Sequence, residues 1–333
     1  MTATLPATVT DTQTLVRPAL QNAVRTLDPT LQEAVGYHLG WRDQHGRPTK
    51  HGKSVRPTLT LLTAQAVHAH TATAIPGAVA VELVHNFSLL HDDVMDGDTE
   101  RRNRPTVWSL YGVPTAILAG DALLTLAVEV LTRERRPDVV PCLTSAVQRL
   151  IEGQTADMAF ERRLDVTVDD YLGMIGGKTA ALLECAAKLG ALLGGADRET
   201  VDRLGAFGRD VGLAFQLVDD LLGVLGDPMV TGKPALADLQ ARKKSAPVVV
   251  ALETSGGPGD RLRELYARDQ APSLLDAQAM LGLIKQTGAI SWTRLQARRY
   301  LASALEQLGE VSMSLPVRDA LTGLARFVVE RDR

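Results

Sequence analysis

Residues 81–104 read VELVHNFSLLHDDVMDGDTERRNR, and the rest of the chain is organised around this stretch. It opens as an apolar segment, delivers Asp92, Asp93 and Asp96, and turns at once into the pair Arg101 and Arg102. On a helix Asp92 and Asp96 are four residues apart and share a face, with Cβ atoms about 5–6 Å apart. Like charges at that spacing repel unless a hard divalent cation sits between them, and oxygen-only donors favour Mg²⁺ or Mn²⁺ over zinc. The plainer alternative is a solvated acidic helix end. Against it stands the apolar approach, since an aspartate run after such a segment usually faces something.

The whole chain limits what this stretch can belong to. At 333 residues it can bury a full core, with 45% hydrophobic residues but only 4% aromatics. Ala and Leu dominate the interior pattern, which favours helix packed on helix over a sheet core, so an all-α fold is expected. The net charge of −3 gives extensive nucleic-acid binding no electrostatic support. Cys142 and Cys185 stand in helical segments without metal-ligand spacing and fit a reducing cytosol, hence a cytoplasmic protein. Residues 1–12, MTATLPATVTDT, have neither the charged nor the apolar region of a signal peptide and are expected to form a disordered tip, with residues 13–333 as one all-α domain. No uninterrupted apolar run approaches about 18 residues, so no transmembrane segment is expected.

Outward from the opening stretch, Pro29 interrupts a first amphipathic helix, and a Gly/Pro-rich basic loop ends in GKSVRP, Gly52 to Pro57. Lys53 and Arg56 are three apart at the start of the next helix, near its positive end, which suits a phosphate or diphosphate; a solvated basic loop is the bland reading. His85 shares a helix side with the aspartates. Asp121 lies in the middle of a strongly apolar helix, where a buried carboxylate would need a partner. Thr167 to Asp170 is a capped helix start, and Gly176-Gly177 ahead of Lys178-Thr179 signals a close backbone approach. A second helix, GRDVGLAFQLVDDLLGVLGD, repeats the design of the first: apolar residues lead to Asp219 and Asp220, with Gln216 three before, and a loop carries Lys233, then Lys243 and Lys244.

Two aspartate clusters ringed by Lys53, Arg56, Arg101, Arg102, Lys178 and Lys233 make a site for polyanions held through bridging divalent cations, and diphosphates fit best. The apolar helices beneath call for a hydrocarbon tail. No Ser/His/Asp set, Cys/His pair or Walker-type loop is evident.

In combination, GKSVRP, DDVMD with its RR, GQTAD, KT, FQLVDD and GKP are highly specific. On them the chain resembles trans-isoprenyl diphosphate synthases of the polyprenyl synthetase family over nearly its whole length, and is most similar to geranylgeranyl diphosphate synthases. The resemblance implies a helical bundle around a deep apolar cavity, usually a homodimer, with Mg²⁺ as cofactor, three ions per site, and Mn²⁺ as a substitute. It implies that Asp92, Asp96 and Asp219 bind the metal. Arg101, Lys178, Thr179, Gln216 and Lys233 would hold the allylic diphosphate, and Lys53, Arg56, His85 and Arg102 isopentenyl diphosphate. The implied reaction is ionisation of the allylic substrate, condensation and loss of a proton.

Two departures stand out: Gly223 replaces the last aspartate of the second motif, and Ala241 to Lys243 read ARK where the family has EGK. They keep open a non-catalytic synthase subunit, which the intact first cluster argues against. A class I terpene cyclase also uses an aspartate-rich helix, but it needs no isopentenyl-side set. In the family, bulky residues four and five positions before the first aspartate stop growth at C15, whereas Phe at the deeper place alone goes with C20. Phe87 stands about 7.5 Å down the helix axis from Asp92, with the small Ser88 above it. A C20 product, geranylgeranyl diphosphate, is therefore expected, with farnesyl diphosphate as the alternative. Ser88→Phe should shorten the product; chain lengths unchanged by thin-layer or mass analysis would contradict this measure.

Overall fold

The computed structural model of the chain describes residues 7–47, 54–225 and 236–329. Apart from one hairpin the described chain is helical, as its composition leads one to expect. α1 (Ala7–Val24) and α2 (Pro29–His38) meet at the predicted break: the Asp28 carboxylate caps α2 by accepting the Thr30 N–H, and Pro29 sits in the first turn, where no N–H is needed. α1 starts at Ala7, within the stretch expected as an N-terminal tip. The buried face of Val16, Leu20 and Val24 anchors the helix, and adding turns to an anchored helix is far easier than starting one.

The bundle consists of α3 (Val55–Ala66), α4 (Ile75–Met95), α5 (Val107–Tyr111), α6 (Val113–Thr132), α7 (Val139–Phe160), α8 (Val168–Ile175), α9 (Ala181–Leu193) and α10 (Arg198–Leu225). A strand pair, β1 (Glu100–Arg101) and β2 (Arg104–Pro105), follows α4. α11 (Ala237–Gln240), α12 (Ala246–Glu253), α13 (Gly257–Tyr266), α14 (Leu274–Gln286), α15 (Ala289–Gly309) and α16 (Leu315–Val329) complete the described chain. α4 packs on α6, α3 and α9, and α10 on α9 and α15, so both aspartate-bearing helices are held from several sides. The predicted capped start is a capping box in which Thr167 and Asp170 satisfy each other's backbone N–H. Cys142 and Cys185, 43 residues apart in sequence, lie unpaired with their sulfurs 3.8 Å apart between α7 and α9.

Thr71–Met95 and Val113–Thr132 are long and apolar enough to cross a membrane by length and composition, although neither is an uninterrupted apolar run. The first is 67% buried by its neighbours and is the core helix of the bundle. The second is only 39% buried and turns Val113, Ile117 and Leu118 outward.

Between α8 and α9 the backbone makes one π-helical turn, Gly176–Ala180, of the kind that often marks a functional position. Here α7 and the turn meet backbone to backbone. A Cβ on Gly153 would lie 2.2 Å from the Lys178 nitrogen, and one on Gly177 2.4 Å from the Arg149 oxygen. The close approach read from the glycines is thus real, and it sets Lys178 beside α7. Gly153→Ala should cost about 1–3 kcal/mol, the range for overpacking a rigid contact; an unchanged denaturation midpoint would show that the two segments can separate freely.

Candidate active site

Each aspartate doublet divides its work between its two members. Asp93 is 2% exposed and accepts a 2.6 Å hydrogen bond from Arg101 Nε, and Asp220, 3% exposed, accepts from Tyr171 OH (2.6 Å), the Ala246 N–H (2.7 Å) and Gln216 Nε2 (2.9 Å). A buried carboxylate needs such donors. Asp92, Asp96 and Asp219 face the other way and accept no hydrogen bond from a described residue; Asp96 and Asp219 are exposed and Asp92 partly so. The helical repeat separates the roles, because adjacent residues point about 100° apart.

Burial pushes Asp92 up to about 6 against the pull of Lys178, with Asp96 and Asp93 adding repulsion. Asp96 shifts the same way, chiefly through burial. Lys178 Nζ lies 2.5 Å from Asp157 Oδ2, so the aspartate three residues beyond Gln154 is its counter-ion. Lys243 stands at the mouth; the cleft walls favour its neutral form, but Asp220, Asp238, Asp157 and Asp219 outweigh them and hold the ammonium above its ordinary value. Lys178 acts on both Asp92 and Asp96, and Lys243 on Asp96 as well as on Asp219, so the two clusters share one field. Thr179 donates to Gln216 Oε1 (2.7 Å), whose amide in turn donates to Asp220. Both ends of the Gln216 amide are therefore engaged within the protein, bracing the second cluster.

The second basic set surrounds Glu82 and His85. Arg56 enters from the first turn of α3 and Arg102 from the hairpin, and their charges, together with burial as the leading cause, hold His85 well below its ordinary range. Glu82 is raised by burial even though Arg56 and Arg102 oppose it. The hairpin turn is two residues long, with Arg102 (φ 54°) and Asn103 (φ 59°) both left-handed. Asn tolerates that conformation; for Arg it costs about 1–2 kcal/mol, strain that surrounding contacts must hold. Tyr37 OH donates to Pro105 O (2.7 Å), while Arg104 lies 4.3 Å over the Tyr37 ring and donates to the carbonyls of Tyr37 and Arg42 (3.2 Å each). Trp108 Nε1 and Thr106 Oγ1 donate to Asp98 O at 2.7 and 2.9 Å, closing the hairpin's base.

Phe87 is buried and meets the His91 ring edge-on at 4.9 Å, and Ser88, partly exposed, donates to the His85 carbonyl. Asp121 is corrected: its side chain is 60% exposed, because it lies on the uncovered side of α6, with His91 Nε2 at 3.7 Å. Lys53 and Lys233 lie outside the described residues. The sequence reading passed over His38 and Tyr171, and gave no role to Asp238 or to the pairing of Asp157 with Lys178, since each acquires its meaning only from residues distant in the chain.

The donor set fits Mg²⁺. Asp92, Asp96 and Asp219 offer unengaged carboxylate oxygens, and among the described residues no three His, Cys, Asp or Glu converge on one point. Mg²⁺ is commonly held in this way, through one or two carboxylates plus phosphate oxygens and water.

The chain is similar to known proteins over nearly its whole length. The sequence pattern of the family described as polyprenyl synthetase matches residues 47–281. The chain is 46% identical over 327 residues to a (2E,6E)-farnesyl diphosphate synthase of Mycobacterium tuberculosis, covering 95% of this chain and 90% of that protein. It is 45% identical over 282 residues to a geranylgeranyl diphosphate synthase of the same organism, covering 81% and 79%. The crystal structure of a polyprenyl synthetase from Streptomyces coelicolor A3(2) superimposes with a TM-score of 0.92 at 46% identity, covering 98% of this chain and 100% of that one.

His38 yields a pH prediction. Burial, with Arg101, Arg102 and Arg104, pushes it down to about 3, and its Nε2 is buried without a described partner. A histidine depressed in the fold is neutral there, whereas the unfolded chain takes up a proton below about 6.5, so stability is lost as pH falls through that value. His38 alone should remove up to about 2 kcal/mol between pH 7 and pH 5. Denaturation of His38→Gln should show that much less acid sensitivity than the parent chain; identical slopes would rule out His38 as the source.

Proposed function

This chain belongs to the polyprenyl synthetase family, and from that premise we propose that it condenses isopentenyl diphosphate with an allylic diphosphate and releases the C20 product, geranylgeranyl diphosphate. The observation that carries the reading is the division of each aspartate doublet: one member is bound into the protein, and the other faces a cleft shared with Lys178 and Lys243. Phe87 as the deeper bulky residue with small Ser88 above supports C20. The farnesyl diphosphate synthase relative favours a second reading, in which growth stops at C15.

Asp92, Asp96 and Asp219 would hold Mg²⁺, which when bound supplies positive charge to the departing diphosphate. Lys178, Arg101 and Lys233 bind that same diphosphate, with Thr179 and Gln216 keeping the second cluster in place. Lys53, Arg56, His85 and Arg102 hold isopentenyl diphosphate, His85 as a neutral N–H donor. The carbon–oxygen bond of the allylic substrate breaks, the isopentenyl double bond attacks the resulting cation, and the released diphosphate takes the proton lost from the new chain. The apolar side chains of α6 and α7 that face outward, Val113, Ile117, Leu118, Ile151 and Met158, support a homodimer covering this face. The adjacent unpaired thiols, which an oxidising compartment would join, support a cytoplasmic location.

Purified chain with Mg²⁺, labelled isopentenyl diphosphate and each allylic primer should yield C20 and nothing when isopentenyl diphosphate is omitted. Asp92→Ala should lower kcat about a hundredfold or more, as expected when several kcal/mol of charge stabilisation are lost. Accumulation of C15 alone would favour the second reading, and no product from any primer would overturn both.

A further inference from the structure

The fold brings the two cysteines of the chain together. Cys142 on α7 and Cys185 on α9 are 43 residues apart in sequence, yet their sulfurs lie 3.8 Å from each other. Cys185 is 2% exposed, whereas Cys142 is only half-buried, so one thiol is reachable from solvent and the other stands behind it. A disulfide bond spans about 2.05 Å. The sulfurs therefore need to close by about 1.8 Å, less than a sulfur swings between two staggered rotamers. The condensation reaction uses neither thiol.

The surroundings divide two roles between the thiols. Hydrogen bonding with Cys185, helped by the Lys188 ammonium, holds the Cys142 thiol below its ordinary value against the cost of burial. The same contact, together with burial, keeps the Cys185 thiol well above its own. Glu184, the nearest acid in the chain to Cys185, is engaged by Lys188 at 2.6 Å and Arg149 at 2.7 Å, so its charge is balanced by two cations. A thiolate is the form that attacks, and nearby cations favour it. On α7, Ile151 and Met158 follow Cys142 by nine and sixteen residues, which at about 100° per residue puts them on roughly the opposite side of the helix. A partner chain covering those apolar side chains leaves Cys142 open.

We propose that Cys142 and Cys185 form a modification site for hydroperoxides, in which Cys142 is oxidised and Cys185 then closes a bond that ties α7 to α9. The Cys142 thiolate attacks a peroxide oxygen, the O–O bond breaks, and hydroxide or alkoxide leaves and takes up a proton as water or alcohol. Cys142 is then a sulfenic acid. The Cys185 sulfur attacks the Cys142 sulfur, the S–O bond breaks, and the departing hydroxide takes the Cys185 proton and leaves as water. The two sulfurs together give up two electrons, and the peroxide receives them. The bond sits on the helix pair that flanks the π-turn: α9 follows the turn directly, and α7 meets it at Gly153. It braces the segment that holds Lys178 against Asp157, and a thiol reductant reverses it.

The test exposes the full reduced chain to hydrogen peroxide at about neutral pH, with glutathione in a parallel tube as the reference thiol. After quenching, remaining thiols are alkylated and the intact and digested chain are weighed. Both thiols should disappear together, no more slowly than that of glutathione, and one link within the chain should join the peptides of Cys142 and Cys185. Dithiothreitol should restore both. The melting temperature of the oxidised chain should rise by about 2–5 °C, since the link closes a 43-residue loop in the unfolded chain. In Cys185→Ala the reaction should stop at a sulfenic acid on Cys142 that dimedone traps, and in Cys142→Ser the thiol of Cys185 should stay reduced. The inference is overturned if the parent chain keeps both thiols while glutathione is consumed, if oxidation of the parent stops at a sulfenic or sulfinic acid, if the link joins two chains, or if the oxidised chain melts below the reduced one. These readouts are masses and melting temperatures, so they stand apart from the product assay.

Discussion

The buried carboxylate of Asp220 accepts hydrogen bonds from Tyr171 on α8, Gln216 on α10 itself and the first backbone N–H of α12. Three elements thus converge on one ionisable group that the interior would otherwise expel, and they fix how α10 is rotated about its axis. That rotation carries Asp219 into the cleft. Asp93 and Arg101 perform the same task on α4 with one bond that also draws the arginine hairpin back onto the helix. If either buried partner were lost, the exposed aspartate beside it would have no fixed direction, since a single helix turn leaves side chains free to choose rotamers that packing does not exclude.

Around these anchors the site holds charge that the protein itself leaves unbalanced. Asp92 is raised by burial and by its own neighbours, and Lys243 is raised by four carboxylates. The crowded carboxylates on α4 cost stability without a cation between them, whereas the carboxylates around Lys243 stabilise its charge. Arg102 adds backbone strain to the same account, held by the Tyr37–Arg104 clasp. His38, neutral and with no partner at Nε2 among the described residues, sits where three arginines crowd, so charge on α2 would oppose charge on the hairpin.

Glycines set the distances between these parts. Gly153 and Gly177 let α7 and the π-turn touch, which brings Lys178 to Asp157. In each case the missing side chain allows a polar group from another element to approach the backbone.

The helical class, the break at Pro29, the capped start at Thr167 and both aspartate helices were legible in the sequence, because periodicity, caps and propensity act over a few residues. Charges at helical spacing also pointed to a shared face, and the structure sets Asp92, Asp96 and Asp219 in one field with Lys178 and Lys243. The burial of Asp121 was misjudged because local sequence does not tell which side of a helix is covered. Only the tertiary structure decided which aspartate of each doublet turns inward, that Asp157 balances Lys178, and that Gln216 braces Asp220. Each of these depends on groups tens of residues apart, brought together by burial of a common core, and no spacing along the chain encodes that meeting.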